Sequence, residues 1–152
     1  MRHLAWLDKY RQTNHGENIW TDEALQNVAL LHREFDACVA FFSGYMSSCY
    51  RSVTVNKKVG GASNSSHLYG LAIDVVPNAS LSRTMLENAR LFFETATLGK
   101  YGPVYKVIAE PSWVHVSYHD PLDENIAVIS LWEKRGNKYV KHSVAQRRML
   151  VD

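Results

Sequence analysis

The sequence has no uninterrupted apolar run of the roughly 18 residues that a membrane-spanning helix needs. Met1 to Trp20 interleaves Arg2, Asp8, Lys9, Arg11 and Glu17 with apolar residues, so it also lacks the continuous apolar segment of a secretory signal. No membrane partner is expected, and synthesis is expected to end in the cytoplasm. Charge of one sign is missing as well: 17 Lys and Arg stand against 15 Asp and Glu, a formal net charge of +2. That balance argues against nucleic acid as a partner, because counterion release needs concentrated positive charge. Cysteine is scarce, and Cys38 in an expected helix and Cys49 in a Ser-rich stretch are read as two free thiols rather than a disulfide. Repeats, low-complexity tracts and linkers are absent. What is present is ample core material, with 46% hydrophobic and 11% aromatic residues in 152. One domain over 1–152 follows, needing neither disulfides nor an obligate protein partner.

Thr21, followed by Asp22 and Glu23, signals a helix start, and Leu25, Val28, Leu31, Phe35 and Cys38 then recur at three- and four-residue intervals. A buried helix over roughly 22–40 is predicted. Residues 43–67, rich in Ser and Gly, read as loop with short extended pieces; a loop this long in a compact chain is where a site is expected. Leu71 to Val76 is short, apolar and β-branched, and reads as a strand ended by Pro77. Ser82 is the expected cap of a second helix reaching about Leu98, with Met85, Leu86, Ala89, Phe92, Phe93 and Ala96 on one stripe. Period-two patterning then predicts strands over 104–109, 113–118, 126–132 and 138–142, the last two joined as a hairpin through Lys134-Arg135-Gly136-Asn137. The order indicates an α+β fold with a mainly antiparallel sheet and flanking helices.

Two positions are chemically out of place. Asp74 lies mid-strand in an apolar run, sharing a face with Ala72 while Leu71, Ile73 and Val75 fill the other. A carboxylate there needs a cation beside it, either a Lys or Arg or a metal. His115 shares a strand face with Trp113 and Ser117, away from Val114 and Val116. With His67, seven positions before Asp74, these make two imidazoles and one carboxylate. That is a donor set of catalytic zinc, which accepts N and O ligands in a tetrahedron and keeps one position open. His119, four after His115, would stand about 13 Å from it along a strand, so it is left out of the set.

Ser65-Ser66-His67-Leu68-Tyr69-Gly70-Leu71-Ala72-Ile73-Asp74 resembles, at every fixed position, the S-x-H-x-x-G-x-A-x-D motif of the zinc D-alanyl-D-alanine carboxypeptidases and their phage L-alanyl-D-glutamate endopeptidase relatives. Trp113-Val114-His115 is similar to the second, W-x-H motif of that family, and the resemblance covers about residues 20–120. It implies Zn2+ held by His67, Asp74 and His115, and the fold these peptidases share with the hedgehog signalling domain. Some members carry a catalytic carboxylate three residues before the last His, where this chain has Ser112. Others carry it five before, where Glu110 stands. Arg51 and Ser65 match positions that contact substrate in relatives, Arg suiting a carboxylate through its planar fork. The chain departs from the family's Ser-Gly-Tyr-Arg segment: either Ser43-Gly44-Tyr45 is interrupted before Arg51 by Met46-Ser47-Ser48-Cys49-Tyr50, or the segment is Ser48-Cys49-Tyr50-Arg51 with Cys49 in place of the Gly.

The resemblance implies zinc-dependent hydrolysis of a peptide bond in the stem peptides of peptidoglycan. A phage-type endolysin acting as an endopeptidase is the expected form, made without a signal and reaching the cell wall during lysis or on a virion. The alternatives are a D-alanyl-D-alanine carboxypeptidase or dipeptidase and, in another class, a non-catalytic phage structural or wall-binding module.

Overall fold

In the structure, a computed structural model that describes residues 5–11, 18–123 and 127–148, Thr21 opens the first helix. Its side chain accepts a hydrogen bond from the Ala24 N–H at 3.2 Å, and Asp22 and Glu23 occupy the first turn, where the helix dipole favours negative charge. This helix, α1 (Asp22–Phe41), buries Ala24, Val28, Leu31, Phe35 and Cys38 along one stripe, close to the expected bounds. Strand β1 (Tyr45–Ser48) and a short helix, α2 (Val53–Lys58), follow. The sequence pattern indicated no helix in 43–67. The run Val53-Thr54-Val55 is β-branched and disfavours one locally, but Ser52 caps it by accepting the Val55 N–H at 3.3 Å, and Val55 and Asn56 are buried.

The chain continues through a 3-10 turn (Ser66–Tyr69) into β2 (Ala72–Val76), then α3 (Met85–Ala96), β3 (Val104–Ala109), β4 (Val114–Tyr118), β5 (Val128–Arg135) and β6 (Lys138–Gln146). The expected start of the second helix is corrected. Ser82 has φ +53 and ends a separate 3-10 turn, whereas Thr84 caps α3 in a reciprocal capping box with Glu87. Two oxygen–amide bonds outweigh the single one that Ser82 could offer. β6 is also longer than the expected 138–142, and Gly136-Asn137 is the two-residue turn, since Arg135 pairs with Lys138. Ile126, expected to open the strand 126–132, lies outside the described residues.

The six strands form one sheet in the order β1-β2-β4-β3-β5-β6, antiparallel throughout except for the parallel pair β3/β5. This α+β architecture is the expected one. One face carries Ile73, Val75, Val107, Val114, Val116, Ile129 and Leu131, all buried in one core with Phe35 and Cys38 of α1 and Phe92 of α3. Burying such side chains contributes about 1.5–3 kcal/mol each. Period-two alternation leaves the other face free to carry Asp74, Ile108, His115, Ser117 and Trp132 toward a cleft.

Candidate active site

His67 comes to the cleft on the 3-10 turn, whose cap Ser65 accepts the His67 N–H at 3.2 Å. Gly70 ends that turn with φ +67, and a Cβ there would stand 2.8 Å from the Ala24 carbonyl oxygen and 2.9 Å from Val28 of α1. The motif glycine therefore serves two needs at once: a left-handed turn and the close approach of the turn to the helix. Asp74 and His115 are directly opposite one another on β2 and β4. The ligand atoms of His67, Asp74 and His115 lie within 4.8 Å of one another, so the structure brings together the three residues expected to hold zinc.

The protonation pattern tests whether a metal fits. His67 Nδ1 is 2.6 Å from the Cys49 carbonyl oxygen, which can only accept, so Nδ1 carries the proton. In the neutral ring Nε2 is then a bare lone pair. It is buried, has no hydrogen-bond partner, and lies 3.3 Å from Asp74 Oδ2, another lone-pair atom. A shared cation relieves that juxtaposition. His115 Nδ1 is 2.9 Å from Asp74 Oδ1, while its Nε2 is 2.6 Å from Ser117 Oγ, an acceptor for an Nε2–H when Nδ1 faces a metal. Two imidazole nitrogens and one carboxylate, each imidazole anchored on its far side, fit a divalent ion of the zinc type.

Burial by itself pushes the Asp74 carboxyl up, but positive charge at the His67 position and contact with the two imidazoles outweigh it and hold the group well below its ordinary value; without an ion that charge requires His67 to be protonated, and a bound cation would take its place. Burial pushes the His115 imidazole down, His67 adds to this, and Asp74 opposes it. Both groups are thus biased toward the deprotonated forms that bind metal.

Glu110 follows β3 directly, is buried, and lines the same cleft as the three clustered residues. Its Oε1 accepts a hydrogen bond from Tyr139 Oη at 3.1 Å. Burial, together with the Glu110 charge, pushes the Tyr139 phenol up to about 12, so it remains a donor at neutral pH. Arg51 also lines the cleft; its backbone N–H donates to the His67 carbonyl at 3.1 Å, and its buried Nε has no partner. Burial lowers its pKa, with Asp74 opposing. Ser65 lines the cleft as well. His119 is elsewhere: it is buried between the Asp120 carbonyl and Arg147. Cys38 and Cys49 are buried free thiols.

Three contributors had no counterpart in the sequence reading. The Cys49 carbonyl is a backbone group and leaves no residue signature. Ser117 shares the His115 face by alternation, but its role as an imidazole anchor appears only with the 2.6 Å contact. Tyr139 meets Glu110 across 29 positions of chain, because β5 docks parallel to β3 and brings its hairpin partner β6 along. Among the described residues no helix is long and apolar enough to cross a membrane.

A family model described as Peptidase M15 matches residues 7–117, well over half of the chain, and spans both motifs, Arg51 and Glu110. No curated protein matches the chain.

Proposed function

The chain belongs to the peptidase M15 family of metal-dependent peptidases, and from that premise we propose that it is a zinc enzyme hydrolysing a peptide bond in the stem peptides of bacterial peptidoglycan. The observation that carries the reading is the buried His67–Asp74–His115 cluster, with the unpartnered Nε2 of His67, in one cleft with Glu110. His67, Asp74 and His115 hold the ion. When bound, zinc supplies a Lewis acid that polarises the scissile carbonyl and makes water a better acid.

The chain's own residues do the rest. Glu110 takes a proton from the attacking water at its carboxylate and returns it to the leaving amine. The Tyr139 hydroxyl fixes Oε1 of that carboxylate, and no other described residue hydrogen-bonds to the group. Cys49 and Ser117 hold the two imidazoles in orientation through their outer nitrogens. Arg51 is assigned to a substrate carboxylate, since its unpartnered Nε already points to an unfilled bonding capacity. Ser65, which supports the His67 turn and lines the cleft, is assigned to the substrate backbone.

Cleavage within the stem is favoured by the extent of the cleft, about 600 Å³, which runs past the cluster to side chains of β3, β5 and β6. Trimming of a terminal D-alanine is the second reading, favoured by the unpartnered Nε of Arg51. A setting in phage-type wall lysis goes with the first and rests on the sequence resemblance alone. The test is elemental analysis of the purified chain together with mass spectrometry of digested peptidoglycan. One zinc per chain and new stem-peptide ends are expected. Free D-alanine from otherwise intact stems supports the second reading, and intact wall with a zinc-loaded protein refutes both.

A further inference from the structure

The site face of the sheet does not stop at the metal cluster. The strand registers set Asp74 beside His115, His115 beside Ile108, Ile108 beside Trp132, and Trp132 beside Lys141, one row running from β2 to β6. In the next row Lys134 stands beside Tyr139, level with Glu110, which follows the Ala109 that pairs with Glu133. The β5–β6 hairpin that carries this half of the face lies beyond residues 7–117, the part matched by the family.

This half has a distinct chemistry. Trp132 forms part of the cleft floor, with Lys106 Nζ 5.7 Å and Lys141 Nζ 5.0 Å from its ring centroid. Lys134 Nζ stands 5.6 Å from the Tyr139 ring. Cation–π contacts of this kind restrict long side chains without neutralising them. None of the three lysines forms an ion pair with a described residue. The two acids lining the cleft are already engaged, Asp74 between the imidazoles and Glu110 with Tyr139. The face therefore offers unneutralised positive charge around an aromatic floor, continuous with the reaction site.

We propose that Lys106, Trp132, Lys134 and Lys141 form a subsite for a carboxylate-bearing part of the peptide substrate, a proposal that rests on the hydrolytic reading above. Two strand spacings separate His115 from Trp132, about 10 Å, a distance that extended peptide covers in roughly three residues. The recognised carboxylate is thus about three residues from the scissile bond and separate from any bound by Arg51. Lysine contributes point charge here rather than a bidentate fork, so the subsite selects for charge more than for carboxylate orientation.

The test uses two matched pairs of synthetic stem peptides, one pair differing only in amidation of the glutamate α-carboxylate, the other only in amidation of the C-terminal carboxylate. For the zinc-loaded full chain, kcat/KM is expected to favour the free acid of at least one pair by about tenfold, the scale of one charge-assisted contact. Lys106→Met with Lys134→Met is expected to bring that ratio close to one, chiefly through KM, whereas Lys106→Arg with Lys134→Arg restores it. Equal rates within both pairs, or a preference that survives the Met pair, overturns the subsite. If none of the four peptides is cut, the hydrolytic reading on stem peptides fails by itself, and the Kd values of the same pairs by calorimetry then decide the subsite. Absent or charge-independent binding there overturns it.

Discussion

In the proposed mechanism Glu110 is the reacting group and Tyr139, through one hydrogen bond, the group that holds it. Glu110→Gln preserves shape and can still accept from Tyr139 Oη, but it removes the base. Turnover is expected to fall about 100- to 10,000-fold with zinc content unchanged. Tyr139→Phe removes only the hydroxyl, leaving the carboxylate less well oriented. A drop in kcat of roughly tenfold with KM little changed is expected, the scale of one hydrogen bond to a charged group. A KM effect alone, in steady-state kinetics, would move Tyr139 from holding the base to binding substrate. Protonation at this scale also sets acid stability. In the ion-free chain both His115 and Asp74 have folded pKa values below their ordinary 6.5 and 3.8. The unfolded chain therefore binds more protons, and stability falls as pH falls: first below about 6.5 through His115, then below about 3.8 through Asp74. Thermal unfolding across a pH series with chelator present checks this, and a melting temperature that rises on acidification would contradict it.

At the scale of elements, the turn carrying His67 depends on how closely it approaches α1. Gly70→Ala adds a methyl group against the Ala24 carbonyl and Val28, in a left-handed conformation that costs an L residue about 1–2 kcal/mol before any clash. Loss of stability is expected together with weaker zinc binding, because the turn must move and His67 moves with it. Thr84→Ala, at the cap of α3 far from the cluster, is expected to cost about 1 kcal/mol and leave zinc affinity untouched. Urea unfolding and competitive zinc titration of the two variants separate a site effect from a general one. The sheet works in the same way: β2 and β4 present Asp74 and His115 to each other by register, and the parallel docking of β5 on β3 adds a wall to the cleft.

For the whole molecule, the hydrophobic core between the sheet and α1 and α3 contains none of the three clustered residues that could hold a metal. Zinc removal is therefore expected to lower stability without unfolding the chain. At about 1,000 times its Kd the ion adds about 4 kcal/mol, roughly 10 °C in Tm for a chain of this size. Calorimetry with and without chelator measures the difference, and a chain unfolded at room temperature on chelation would show that the ion is part of the core. Much of this was legible in the amino-acid order. The α1 stripe and the strand alternation around Asp74 and His115 are local periodicities, which physical chemistry reads directly because neighbouring residues set them, while the two motifs were legible through their resemblance to a known family. The helix at Val53–Lys58 and the start of α3 were not, since burial overrode β-branching in one and a reciprocal cap at Thr84 outcompeted the earlier Ser82 in the other. Tertiary structure alone decided that a backbone carbonyl anchors His67, that Tyr139 holds Glu110, and that three lysines gather beside the cleft. Each of those depends on which strands lie side by side, a choice made by packing across the whole sheet, and no spacing along the chain encodes it.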